Sequence, residues 1–176
     1  METTTKSSAT NNGLYLGAIL SIITVLIYAV NLDLFTEWWL GIVLFIVVVA
    51  FGVISAVKSR TILGGFMSFK QAFTSYFITI LVGTIISTVV GIVIFTFIDP
   101  EAATYVNEQI LVVTKQTMER FGMPQEAMQD ALEEAAKNDN FSLGMQFKNF
   151  VFGLAFYALI GLIVALIVKK TDVKDA

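Results

Sequence analysis

Residues 38–57 read WWLGIVLFIVVVAFGVISAV, 20 positions without a charged side chain. A helix rising about 1.5 Å per residue covers roughly 30 Å over that length, the thickness of a bilayer's hydrocarbon core. Within it, Ile42 to Val49 contains no polar side-chain atom. A run of that kind near the bilayer centre favours insertion by about 2 to 5 kcal/mol, so the stretch inserts without help from its neighbours. Trp38 and Trp39 stand at its edge, at the depth where indole rings favour the headgroups.

Three more charge-free stretches flank it: 14–32 (19 residues), 76–98 (23) and 150–168 (19). The whole 176-residue chain is 56% hydrophobic and 14% charged, against roughly 25% charged in ordinary soluble domains. The expected fold class is therefore all-α, a polytopic membrane protein with four transmembrane helices. Lys6 ahead of the first span raises the possibility of a secretory signal. Its 19 apolar positions exceed a usual signal core and three spans follow, so it reads as a retained anchor. Residues 1–13, rich in Thr, Ser and Asn, are expected to form a disordered tail.

The connections can be read in turn. Residues 33–37 leave room only for a tight antiparallel turn. Beyond Lys58, Arg60 and Gly64-Gly65, Ser68 followed by Gln71 predicts a capping box, and hence a helix that starts in the interface before the third span. Phe69, Ala72, Phe73, Tyr76 and Phe77 then share one helical face. Phe69, Phe73 and Tyr76 are expected, with Trp38 and Trp39, to be interfacial anchors, while Lys70 reaches back to the headgroups. Asp99-Pro100-Glu101 marks another helix start, with a cap, a proline at the first position and an acid at the positive helix end. Arg120, Gly122 and Pro124 mark its stop, and Pro124 opens a further helix with Met128, Ala131, Leu132 and Ala135 as its apolar positions. Residues 99–149 are thus expected to be a helical hairpin between the third and fourth spans.

Lys and Arg near span ends set the orientation of short loops. With four spans, Lys6, Lys58, Arg60, Lys70, Lys169, Lys170 and Lys174 share one side, and Lys115, Arg120, Lys137 and Lys148 the other. Both termini, including a tail at 169–176, are expected in the cytoplasm and 99–149 outside it.

The sequence excludes much chemistry. It has no His and no Cys, so zinc sites with nitrogen or sulfur ligands, iron–sulfur clusters, thiol nucleophiles and disulfides are out; no cofactor or metal is expected. A net charge of -3 and the lack of a dense basic face argue against a nucleic-acid partner. None of the four stretches holds an ionisable Asp, Glu, Lys, Arg or His, the groups that pumps and proton relays use inside a membrane. Hydroxyls do occur there, among them Thr84, Ser87 and Thr88, and a water-filled cavity lined by them would suggest a solute path. Small residues recur every four positions: Gly13, Gly17 and Ser21 in the first span, Gly83, Ser87 and Gly91 in the third, with Gly161 and Ala165 in the fourth. Such ridges let helix backbones approach closely, within one bundle or between two copies in a homo-oligomer. Asp130, Glu133 and Glu134 share a helical face, which reads as a solvated acidic surface before it reads as a cation site.

The run Ser68-Phe69-Lys70-Gln71-Ala72-Phe73, the Phe121-Gly122-Met123-Pro124 turn into an acidic helix, and a last span closing on Lys169-Lys170 resemble a bacterial family of small four-span membrane proteins, domain of unknown function 4199. The resemblance runs from about Gly13 to Lys170. It implies a cytoplasmic-membrane location and a four-helix layout, and carries over no activity and no catalytic residue. The expected function is that of a non-enzymatic accessory or structural membrane protein acting through a membrane or periplasmic protein partner. The alternative is a channel or transporter subunit for a small neutral solute or lipid.

Overall fold

The structure is a computed structural model and describes residues 2–170. Among the described residues six α-helices follow one another: α1 Glu2–Val30, α2 Trp38–Ile62, α3 Phe69–Ile92, α4 Pro100–Arg120, α5 Gln125–Ala136 and α6 Leu143–Val168. A 3-10 turn, Leu32–Thr36, joins α1 to α2, and α3 continues as a π-helical stretch, Val93–Ile98. No strand occurs among the described residues. Four helical stretches among the described residues are long and apolar enough to cross a membrane: Thr4–Val30, Trp38–Ile62, Phe69–Ile98 and Leu143–Val168. The chain is a multi-pass membrane protein, and the many exposed apolar side chains of these helices, such as Ile46, Phe156 and Ile167, face lipid.

The helices outrun the charge-free stretches at several ends. Lys58 and Arg60 lie within α2, and α6 starts at Leu143, passing Lys148 before the expected span. Lys and Arg stems run along a helix while their heads stay in the headgroups, so a charge ends an apolar window without ending the helix. The expected disordered tail is likewise corrected: the helix begins at Glu2, and only Met1 lies outside the described residues at this end. Composition missed this because the tail does not stand alone. Thr5, Ala9 and Asn12 are buried, and the Ala9 carbonyl accepts a bond from Thr79 on α3 at 2.9 Å. Of the expected C-terminal tail, residues 171–176 lie outside the described residues.

Local signals act where the sequence puts them. The Ser68 hydroxyl accepts from the Gln71 amide, and the Gln71 side chain accepts from the Ser68 amide at 2.9 Å, completing the capping box. Asp99 caps α4 by accepting from the Ala102 amide, also at 2.9 Å, with Pro100 at the first position. Gly122 has φ +69°, the left-handed geometry that ends α4.

α3 packs against α1, α2 and α6 and forms the centre of the bundle. The short links leave the start of α1, the end of α2, the start of α3 and the end of α6 at one end. There Met67 and Lys170 exchange backbone bonds of 2.8 and 2.9 Å, and Arg60 donates to the Val168 carbonyl at 3.3 Å. Lys6, Lys58, Arg60, Lys70, Lys169 and Lys170 thus cluster at this basic end, while α4 and α5 lie beyond the far end.

Candidate functional site

The seam between α1 and α3 is built on glycine. A methyl group on Gly13 would lie 2.7 Å from Val82 Cβ, on Gly17 2.8 Å from Ile86 Cβ, and on Gly83 2.6 Å from Leu16 Cδ2. The absence of side chains is what lets the two backbones meet. Ser21 and Ser87, one step further along these ridges, are half-buried, and the Ser21 hydroxyl has no partner. Gly91 departs from the expectation: a methyl group there would meet nothing within 4 Å. Each four-residue step turns a helix about 40° past a full circle, so a ridge held over two steps rotates away from a straight neighbour.

Tyr76, expected as an interfacial anchor, is 0% exposed. It lies seven residues into α3, about 10 Å below the helix start. Its ring fills a slot between two glycines, such that a methyl group on Gly52 of α2 would lie 2.5 Å from Tyr76 Cε2 and one on Gly161 of α6 2.6 Å from Tyr76 Cδ1. Ala165, one turn beyond Gly161, is also fully buried. Phe69, Phe73 and Phe77 form a stacked column beside this slot, with centroids 6.5 and 5.6 Å apart, and Phe69 is exposed. Trp38 and Trp39 are exposed, Trp38 at 77%.

A buried hydroxyl cluster, which the spacing of the sequence did not single out, joins three helices below Tyr76. Thr79 Oγ1 lies 2.9 Å from the Ala9 carbonyl, 3.0 Å from the Ser75 carbonyl and 2.7 Å from Ser55 Oγ. Having one proton, Thr79 can donate across the seam to Ala9 while accepting from Ser55. Ser59 Oγ, Asn12 Nδ2 and the Tyr76 hydroxyl are buried without partners. The Thr79 bonds tie α1, α2 and α3 together at this level of the bundle.

At the far end, Asp99 ties three elements together: one oxygen caps α4, and the other accepts from the Tyr28 hydroxyl of α1 at 3.0 Å. Tyr105 of α4 donates to Asp33 at 2.6 Å, and that bond, with lesser contributions from desolvation and the nearby charge, raises the Tyr105 phenol pKa above its ordinary 10. A cavity of about 680 Å³ lies between α4, residues 137–142 and the start of α6. Asn107 bridges its walls, donating to Asp139 at 2.8 Å and accepting from the Asn140 side chain at 3.0 Å. The π-helical stretch contributes Phe95, whose ring centroid is 4.6 Å from that of Phe141, and Thr96, whose buried hydroxyl is unpartnered. π-Helical turns often sit at functional sites, and this one had no sequence signal because it is as apolar as the α-helix before it.

The hydroxyls considered for a solute path divide. Thr84 and Thr88 line an open cleft of about 330 Å³ between α3 and α6, with Gly91, Gln146, Asn149 and Tyr157, and Ser87 is not on its wall. The Thr84 hydroxyl is turned onto the Ile80 carbonyl at 2.7 Å. Leu16, Leu20, Val48, Tyr76, Ile80 and Val164 fill the interior of the bundle. Asp130, Glu133 and Glu134 are exposed, Glu133 pairing with Lys137 at 3.3 Å. Among the described residues no three acidic, His or Cys side chains come together as a metal site would require.

No curated protein and no solved structure matches the chain. A family model described as protein of unknown function (DUF4199) matches residues 11–170, a range that takes in α2 to α6 and most of α1. The chain belongs to that family.

Proposed function

We propose that the chain is a non-enzymatic accessory or structural component of a bacterial cytoplasmic membrane, acting through a protein partner. Both termini lie in the cytoplasm, in keeping with the basic end, and α4 with α5 forms an extracytoplasmic helical hairpin that makes the contact. The observation that carries this reading is the apolar exposure at the α4–α5 turn, outside every span: Phe121 is 85% exposed and Met123 is exposed beside it. Exposed apolar surface at the tip of an element outside the spans is typical of protein contacts. A photo-crosslinking residue in place of Phe121, activated in intact membranes, tests it. Capture of one distinct protein is the expected result; capture of lipid alone, or of the chain itself alone, overturns it.

The cleft beside Thr84 and Thr88 favours a second reading, a channel or transporter subunit for a small neutral solute or lipid. Thr88→Leu would narrow that cleft without adding charge. Loss of a solute flux with the bundle still folded would move the function there.

A further inference from the structure

We propose that a pocket at the basic end, between the first turns of α1 and α3, binds a phosphate group, supplied by an anionic phospholipid headgroup or by free phosphate. The contact series Ala9–Thr79, Gly13–Val82 and Gly17–Ile86 advances in the same direction on both helices, so α1 and α3 run parallel. Their positive N-terminal ends therefore lie side by side, where the dipoles favour an anion. A pocket of about 160 Å³ opens between them, lined by Thr5, Lys6, Lys70, Gln71, Thr74 and Ser75. Among the described side chains its wall carries two ammonium groups and no carboxylate, and neither lysine forms an ion pair.

Two more donors are available. The capping box uses Gln71 through its oxygen only, which leaves the amide NH₂ without a bond. Ser75 is 3% exposed; its carbonyl lies 3.3 Å from Ser55 Oγ and 3.0 Å from Thr79 Oγ1, while its hydroxyl makes no hydrogen bond among the described residues. An unpartnered hydroxyl on a buried residue that lines the pocket, beside two lysines without ion pairs, is a donor set open to an acceptor. The volume lies well below the roughly 300–1,000 Å³ of ordinary small-molecule pockets, so it suits a headgroup whose remainder lies outside. The pocket sits at the start of the spans Thr4–Val30 and Phe69–Ile98, at the depth of lipid phosphates.

The test uses the full chain in mixed vesicles of phosphatidylglycerol and phosphatidylcholine, with retained lipid read by native mass spectrometry. Three variants are compared: Lys6→Gln with Lys70→Gln; Lys58→Gln with Lys169→Gln, which removes equal charge from the same end outside the pocket; and Thr74→Phe, which fills the pocket and keeps both charges. The expected result is preferential retention of phosphatidylglycerol by the parent and by the Lys58/Lys169 pair, and an about thirtyfold weaker affinity for the Lys6/Lys70 pair. Thr74→Phe is expected to weaken retention as well. Inorganic phosphate bound by the parent in neutral detergent, and lost in the Lys6/Lys70 pair, supports the same pocket with free phosphate as its source. Equal losses in the two lysine pairs, full retention by Thr74→Phe, or neither lipid preference nor phosphate binding overturns it.

Discussion

Tyr76 holds its ring between Gly52 and Gly161 and leaves its hydroxyl without a partner. Adding a methyl at either glycine forces the ring to shift, and Gly52→Ala or Gly161→Ala is expected to cost about 1–3 kcal/mol in unfolding measured in detergent. The hydroxyl has the opposite effect. A buried donor with no acceptor is unfavourable, so Tyr76→Phe should leave stability unchanged or raise it, and a marked loss would mean that a bound water satisfies the hydroxyl. Thr79→Val removes the bonds to Ala9 and Ser55 and should cost about 1 kcal/mol in the same assay. The sequence made the glycines at 13, 17, 83 and 161 legible as small residues at four-residue spacing. It did not show Tyr76 as core, because helical periodicity groups residues on a face without saying what that face meets. What decided the matter were gaps in two other helices, which no reading of α3 alone could supply.

Among the elements, α4 was the most legible. Asp99-Pro100 dictates its start by local chemistry, and the residues around Gly122 its end. Asp99→Ala removes both the cap and the acceptor of Tyr28, and is expected to destabilise the protein by about 1–2 kcal/mol, read as a lowered thermal midpoint. The first turns of α1 were the least legible, since Thr, Ser and Asn suggest a frayed tail unless a neighbour accepts and buries them, as α3 does. The turn before α2 meets α4 through the Tyr105–Asp33 bond, whose dependence on pH has a definite sign. The neutral phenol is the donor and its folded-state pKa is raised. Its contribution is therefore fully present below the unfolded value of about 10 and is lost as pH rises through the raised one. The stability difference between the parent and Tyr105→Phe should stay constant from neutral pH to about 10 and be lost as pH rises through the raised value.

For the whole molecule, four apolar stretches were enough to foresee a four-span bundle, because lipid permits few other ways to satisfy a backbone. Which helices touch was not foreseeable from stretches alone; it depends on glycines and hydroxyls matched across helices distant in the chain. Since the chain has no cysteine, single cysteines can report its topology without background. Phe121→Cys is expected to react with a membrane-impermeant maleimide in intact cells, and Lys169→Cys only after lysis; the reverse pattern would invert the orientation. The parallel pairing of α1 and α3 also imposes an order in time. Antiparallel α1 and α2 can settle as soon as both have left the ribosome, but the Thr79–Ala9 bond closes across 70 residues. At about 5–20 residues per second, α1 waits roughly 4 to 14 s for its partner. During that interval its glycine ridge and the unmatched Ala9 carbonyl are open to any helix passing through the membrane, so the newborn chain is most exposed to mispairing or to an assembly factor before α3 arrives.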